Sequence, residues 1–539
     1  MAKFNRGATR PAVSSPVKTA AAPTGRTHEG APGYAREAKS ELFLLSVANM
    51  VGENSFYEAA GDRDDRYRTL IRQVAVEDVE WTAGFLSWLR GEANMRSAPV
   101  VGALEAVRAR LAAGEQGGNR QLVSSVLRRA DEPGEALAYW IGTYGRAIPK
   151  PVKRGIGDAI LRLGTEFNYI KWGASEARGF SFADILNLTH PGDRKGSSQG
   201  NRFRGPWQHD LFGYAVKRPH QADAPIPASL ETLTRRGALL TMPVDERRRV
   251  LEDPELLRRA GITWEALAGW LQGPMDAQAW ESIIPSMGIF ALVRNLRNFD
   301  QAGVRDEVAE QVAAKLADPE VIARSRMFPF RFLAAHNAAP SVRWTWPLEQ
   351  ALNHSLANVP RLTGRTLVLV DRSGSMFGGV SKNSGLNRAD SAAIFGAALA
   401  MRAASADLVE FGTGHRAVEV RRGESLLRVL GRFTSMGGTN TAEAVRANYR
   451  GHDRVVIVTD EQAWGGYRGA DPTAQVPASV PVYTWNLAGY RYGHGPSGER
   501  QRHTFGGLSD AAFGLIDLIE MRKSACWPWE RNGGTTSIN

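Results

Sequence analysis

The spacing of hydrophobic and polar positions divides the chain into two parts with different periods. From Tyr34 to about Pro360, apolar residues return at three- and four-residue steps, as in residues 41–51, 81–89, 101–111 and 135–140, which predicts amphipathic helices. Short Gly, Pro or Asp punctuation separates them, and almost no alternating pattern intervenes. Many short helices joined by tight turns predict stacked helix pairs of the solenoid kind, although no strict repeat period accompanies them. The character changes at Thr366. Residues 366–371 form a short continuous apolar run that ends in the carboxylate of Asp371. A predicted helix (391–404) follows, then strand-like 408–411 and 417–420, helical 424–433 and 441–449, and a second buried strand, 455–458, before Thr459 and Asp460. A strand at 482–486 and a helix near 509–522 complete the series. Strands alternating with helices predict a doubly wound α/β domain with a parallel sheet. Its ligand site belongs at the carboxyl ends of the strands, where Asp371 and Asp460 fall. Residues 1–33 are poor in large apolar residues and close on Pro32 and Gly33, which predicts a flexible arm. The expected division is therefore an arm (1–33), a helical part (34–360) and an α/β part (361–539).

Composition adds limits to this outline. A chain of 539 residues exceeds one hydrophobic core, and 43% apolar with 23% charged residues is the balance of an ordinary globular protein. No apolar run reaches the roughly 18–20 residues that cross a bilayer. The N-terminal stretch carries Lys3, Arg6, Arg10, Lys18 and Arg26 without the apolar core of a secretory signal, so export is not expected. The one cysteine, Cys526, excludes an internal disulfide and any multi-cysteine metal site. Beside Trp527 it reads as a buried, inert thiol, and the chain as a cytoplasmic protein. The net charge of +11 changes the picture most, because so basic a surface attracts polyanions and above all nucleic acid.

Two stretches carry candidate chemistry. In the first, Asp371-Arg372-Ser373-Gly374-Ser375 sets one carboxylate and two hydroxyls on a tight turn after a strand. Gly437-Gly438-Thr439 adds a hydroxyl on a glycine loop, and Asp460 adds a second carboxylate. Hard oxygen donors without His or Cys suit Mg²⁺ first, or Mn²⁺ or Ca²⁺, and argue against zinc. Singly, each hydroxyl is better explained by a turn or a helix cap, and each carboxylate by a helix dipole. The ordered set of five points to a metal. No phosphate-binding glycine loop with Lys-Ser/Thr and no nucleophile elbow is present, so hydrolysis at the ion is not expected. Glu461 reads as a solvated loop carboxylate.

The second stretch runs from Gly145 to Arg218. Arg146 opens it, and an amphipathic helix over 149–163 sets Val152, Ile156, Ala159, Ile160 and Leu163 on one side and Lys150, Lys153 and Arg154 on another. Lys171-Trp172, Arg178-Gly179-Phe180, His190-Pro191 and a loop with Arg202, Phe203, Arg204 and Trp207 follow. Cations interleaved with aromatics can hold phosphates and stack unpaired bases together. Each residue taken alone is better explained as part of a solvated face over an aromatic-rich core.

Asp-x-Ser-Gly-Ser, the distant Gly-Gly-Thr and the strand-ending Thr-Asp resemble the metal-ion-dependent adhesion site of von Willebrand A domains. That resemblance implies Ser373, Ser375 and Thr439 as ligands, Asp371 and Asp460 acting partly through water, and one position open to an acidic group of a protein partner. Glu53-Asn-Ser-Phe-Tyr57, Gly145-Arg146, Lys171-Trp172, Gly179-Phe180 with Asp184, His190-Pro191, Arg294-Asn295-Leu296 and Phe328-Pro329 resemble the TROVE module of the Ro autoantigen family. The order of these pieces and the adhesion-type domain after them are the Ro arrangement. The resemblance implies an α-helical, HEAT-like ring closed by the von Willebrand domain. It also implies a non-enzymatic scaffold whose hole takes single-stranded ends of misfolded RNA and whose outer surface binds Y-RNA-like noncoding RNA. It places Lys171, His190 and Arg178 on RNA-contacting positions and, in bacteria, implies tethering to an exoribonuclease such as polynucleotide phosphorylase. Extra residues between Lys171 and Gly179 shift the register around Arg178. Arg294 and Asn295 fit either RNA contact or a helix-end network. The contrasting reading is a metal-dependent protein-interaction module in which the helical part is a spacer.

Overall fold

The structure is a computed structural model that describes residues 13–48, 51–173, 179–191, 203–357, 359–379, 387–465, 471–509, 513–521 and 526–530. They fall into two compact units, one built from the described residues within 1–98, 322–337 and 345–536, the other from those within 99–321 and 338–344.

The first unit is organised on a sheet. Its strands are β1 (Gly25–Arg26), β2 (Pro32–Ala35), β3 (Arg365–Asp371), β4 (Ser405–Phe411), β5 (His415–Ala417), β6 (Arg454–Thr459), β7 (Val482–Asn486), β8 (Tyr492–Gly493) and β9 (Arg502–Gly506). Six of them form one sheet in the order β5-β4-β3-β6-β7-β9, parallel except for the edge strand β5. Leu367, Val368, Leu369 and Val370 are all buried, as are Val455, Val456, Ile457 and Val458, which is the mark of a parallel sheet covered on both faces. The helix Arg388–Arg402 lies against β3 through Gly396, where an added Cβ would stand 2.3 Å from Val370 Cγ2. The chain passes from β3 to β4 on one side and returns to β6 on the other. The switch point therefore lies between the ends of β3 and β6, as expected for Asp371 and Asp460. Strand β9 carries its own buried run but escaped the sequence pattern, since its Arg, His and Thr mask the apolar signature.

Two boundaries differ from the sequence-based expectation. Residues 13–33 are not a solvated arm: β2 pairs with both β1 and β8, the Ser15 amide donates to the Gly498 carbonyl (3.0 Å), and Val13, Val17 and Ala31 are buried. Backbone pairing to a remote loop leaves no trace in local hydrophobicity, so composition alone reads these residues as a tail. The helices Ala38–Ala48, Ala60–Glu77 and Val79–Gly91 also pack with the sheet unit, so compactness does not divide the chain at residue 360. Gly489 admits no side chain because Leu44 O would lie 2.6 Å from its Cβ, and Arg63 donates to the Ala488 carbonyl (2.8 Å). Cys526 is half-buried rather than buried, next to Trp527, which stacks on Trp529.

The second unit is helical, as expected. Asn119–Val126 packs on Lys150–Leu163, which packs on Phe182–Thr189, which packs on Pro206–Lys217. Val152, Ile156, Ala159 and Ile160 are fully buried, the apolar face expected of 149–163, while Leu163 is half-buried. Gly155 brings the first pair close, since a Cβ there would stand 2.7 Å from Val123 Cβ.

Candidate functional site

The oxygen donors expected at a metal are gathered by three loops at the carboxyl edge of the sheet. Asp371 ends β3 and Asp460 follows β6, both with no exposed surface, and Ser373, Ser375 and Thr439 are buried beside them. The turn after β3 is closed by Asp371 itself, whose Oδ1 accepts from the Ser373 amide (2.9 Å), and its Oδ2 accepts from the Thr459 hydroxyl (2.6 Å). Ser373 Oγ and Ser375 Oγ lie 3.3 Å apart. The glycine loop is tied to this turn by the Gly374 amide, which donates to the Gly437 carbonyl (2.6 Å), and the Met436 amide donates to the Arg372 carbonyl (2.9 Å). Gly437 has a φ of +78°, which favours glycine there. The Thr439 carbonyl accepts from the Trp464 amide (2.8 Å), linking the loops of Thr439 and Asp460. The alternative hydroxyl, Thr441 Oγ1, begins a helix and is buried without a partner.

Asp460 Oδ1 accepts from the Gln462 amide (3.0 Å), but its Oδ2 is buried with no hydrogen-bond partner. Burial pushes both carboxylates above their ordinary range, and the charge of Asp371 adds to the effect on Asp460. An orphaned buried carboxylate oxygen beside a second carboxylate and close hydroxyls is the donor chemistry that a hard divalent cation satisfies. The residues present fit such an ion.

Sequence reasoning missed the supports. Thr459 fixes Asp371, and Arg372 turns inward, donating to the Ala389 (2.6 Å) and Thr434 (2.8 Å) carbonyls. Glu461 is not solvated: it is buried, ion-paired with Arg36 and bonded by Asn486, at a φ of +61° that a non-glycine residue rarely adopts. Its carboxylate is committed to holding the Asp460 loop, a role that only the distant residues Arg36 and Asn486 reveal.

The cationic residues form two groups within the helical unit. Lys150, Lys153 and Arg154 recur at positions that share one stripe of their helix with Gly157. A Cβ on Gly157 would stand 3.7 Å from Pro191 Cβ and 3.8 Å from Thr189 Cβ, so the exposed His190 caps the next helix at the end of that stripe. His190 has the left-handed φ of +47° of a helix C-cap. Lys171 belongs to the second group. It lines a cavity of about 1050 Å³ with Arg128, Arg129, Arg236 and Arg294 among Phe167, Trp172, Trp264 and Phe290. Lys171 Nζ lies 5.1 Å and the Arg129 guanidinium 5.7 Å from the Trp172 ring centroid. Arg129 is partly neutralised by Asp131 at 3.1 Å. Asn295 is buried and donates to the Ala291 carbonyl (2.8 Å), so it builds its helix, whereas Arg294 faces the cavity. Arg146 and Arg204 are exposed on loops and join neither group. Arg178 and Arg202 lie outside the described residues.

A helical unit and a doubly wound α/β unit with a buried cluster of oxygen donors define a two-part class of protein. The TROVE resemblance is borne out within it: a family model for the TROVE domain matches residues 258–363. The fold is also similar to that of the Ro (RSR) protein of Deinococcus radiodurans in its crystal structure, at 19% identity and a TM-score of 0.60, over 89% of this chain and 99% of that one. No curated protein sequence matches the chain.

Proposed function

We propose that this protein is a non-enzymatic RNA-binding scaffold of the Ro type. The observation that carries the reading is the cavity around Lys171, where cations and exposed aromatic edges line one concave space. Phe167 and Phe290 are each nearly half exposed there, offering faces on which unpaired bases stack at about 1–3 kcal/mol each. Single-stranded ends of misfolded RNA suit this cavity, and the Lys150-Lys153-Arg154-His190 stripe suits the phosphates of a structured, Y-RNA-like noncoding RNA. Likeness to the Ro protein of Deinococcus radiodurans extends the proposal to RNA processing or quality control beside an exoribonuclease such as polynucleotide phosphorylase. The oxygen cluster holds Mg²⁺ in this reading, with Mn²⁺ or Ca²⁺ as substitutes. Asp371 and Asp460 supply the charge, Ser373, Ser375 and Thr439 supply hydroxyl oxygens, and the bound ion offsets the repulsion between the two carboxylates. A cytoplasmic location fits, and no helix among the described residues is long and apolar enough to cross a membrane.

Fluorescence anisotropy with labelled single-stranded RNA tests the reading. Affinity is expected to fall steeply with salt, with a logarithmic slope of about −2 or steeper for three or more phosphate contacts. Lys171→Glu is expected to weaken binding at least about tenfold. Binding that is indifferent to salt and to Lys171→Glu would favour the contrasting reading, a metal-dependent protein-interaction module, for which the buried oxygen cluster speaks.

A further inference from the structure

The cavity around Lys171 carries one residue of opposite sign. Among the described residues that line it, five are cationic and Glu265 is the only carboxylate. Glu265 is exposed, and its carboxylate forms no hydrogen bond or ion pair with the described residues. Its place is set by the start of its helix, Trp264–Leu271. The Thr263 hydroxyl caps that start by accepting from the Ala266 amide (3.3 Å), and Trp264 packs on the buried Trp280 with ring centroids 5.7 Å apart. Gly261, at a φ of +61°, sets the same stretch against the helix Glu166–Trp172. A Cβ there would stand 3.3 Å from Ile170 Cδ1 and 3.8 Å from Phe167 Cδ2. Arg236 completes the joint by donating to the Gly261 carbonyl (3.3 Å). Glu265 is therefore held on an element fixed to the helix that carries Lys171 and Phe167.

A carboxylate in this cavity works against phosphate. Each phosphate that enters meets a like charge, so a site built only to hold the RNA backbone gains nothing from Glu265. A helix dipole favours an acid in the first turn, but solvent and salt screen that effect at an exposed position. A carboxylate offers acceptors alone, two oxygens side by side. Phosphate also only accepts, and the ribose 2′-hydroxyl offers the same single donor on every nucleotide. Guanine differs: it sets two N–H donors, N1 and N2, side by side on its Watson–Crick edge, the fork that a carboxylate also accepts from arginine. Adenine and cytosine each present one amine beside an acceptor there, and uracil one N–H between two carbonyls. Phe167 and Phe290, each nearly half exposed at the cavity, supply faces on which a base stacks while its edge is read.

We propose that Glu265 is the base-reading residue of this cavity and selects guanine in unpaired RNA, accepting from N1–H and N2–H on its two carboxylate oxygens. This inference rests on the RNA-binding reading of the Lys171 cavity and narrows its substrate to single strands that bring a guanine into it. The cations supply an affinity common to all sequences, and Glu265 subtracts from it for every base that cannot fill both of its oxygens. Selectivity comes from a repulsive charge that only the matching edge satisfies.

Competition against a fluorescein-labelled octauridylate, read by anisotropy on the full-length protein, tests this. The competitors are unlabelled octauridylates carrying one guanosine at the first, fourth or last position, and the same oligomers with inosine, which lacks the N2 amine. With the wild type, guanosine in at least one position is expected to compete about fivefold or more better than uridine, and inosine to lose most of that advantage. Glu265→Gln is expected to abolish the preference and to bind plain octauridylate about two- to fivefold more tightly, because a like charge is gone. Glu265→Asp, which keeps the charge on a shorter stem, is expected to lose the preference without that gain. Both substitutions fall at an exposed position and leave the Thr263 cap in place. Equal competition by guanosine, inosine and uridine oligomers, or a guanine preference that survives Glu265→Gln, would overturn the proposal while leaving RNA binding standing. Failure of the wild type to bind any of these oligomers would overturn the RNA reading and the proposal with it.

Discussion

Buried polar residues of the sheet unit work as fixed parts, and two histidines among them tie stability to pH. His503, stacked on Tyr483 in β9, is held down to about 3 by burial and by Arg502, and His494 is lowered by burial from the same ordinary value of 6.5. Both stay neutral in the folded protein while the unfolded chain takes up protons below 6.5. The contribution of His503 is therefore complete above 6.5 and is lost as pH falls from 6.5 toward 3, by about 1.4 kcal/mol per pH unit, and His494 acts in the same direction. Between pH 7.5 and 5.5 the raised carboxylates of Asp371 and Asp460 act in the opposite sense, so the test is the difference in urea unfolding between wild type and His503→Phe, in which the wild type is expected to lose stability relative to the variant below 6.5. A difference between wild type and His503→Phe that does not change with pH would refute the assignment. None of this was legible in the sequence, where a histidine carries no sign of whether it lies in a strand core or in water. The five oxygen donors were legible, because order, residue type and strand ends coincide for them.

At the level of elements, close approaches made through glycine or a buried ion pair decide what packs on what. Gly396 lets its helix settle onto β3, with Val370 Cγ2 where a side chain would begin. Gly396→Val is expected to destabilise the sheet unit by about 3 kcal/mol or more, read as a lower urea midpoint, since rigid strand and helix backbones cannot yield cheaply. The segment before the first helix contributes in the same way. Arg36 is buried against Glu461, and its loss strands that carboxylate beside the Asp460 loop. Arg36→Met is expected to cost about 3–5 kcal/mol. It should also weaken Mn²⁺ binding, an effect that removal of a solvated arm would not produce. Amphipathic periodicity made the helices visible in advance, since each must bury one face. The pairing of β1, β2 and β8 stayed hidden, because two- to four-residue strands are held by backbone hydrogen bonds that every residue can make.

On the scale of the whole molecule, cations and oxygen donors are assigned to different units. The Lys150 stripe and the Lys171 cavity lie in the helical unit, and Asp371 with Asp460 lies in the sheet unit. Triple charge reversal of Lys150, Lys153 and Arg154 is accordingly expected to weaken RNA binding at least about tenfold at 150 mM salt while Mn²⁺ affinity stays as in the wild type. Coupled loss of both in one titration series would show that the two functions share a site. The net charge of +11 gives the sign of the partner but not its place of contact, which depends on how helices distant in sequence line one cavity.

Residue order alone determined most of the helices and central strands, the two-part architecture and the cluster of five oxygen-bearing residues, because periodicity, strand-ending carboxylates and glycine turns are local properties. Tertiary structure alone decided which unit the helices before Ala98 join, which cations share a cavity and that Arg36 holds Glu461. These depend on contacts between residues far apart in the chain, made by backbone pairing and side-chain burial that no single segment encodes.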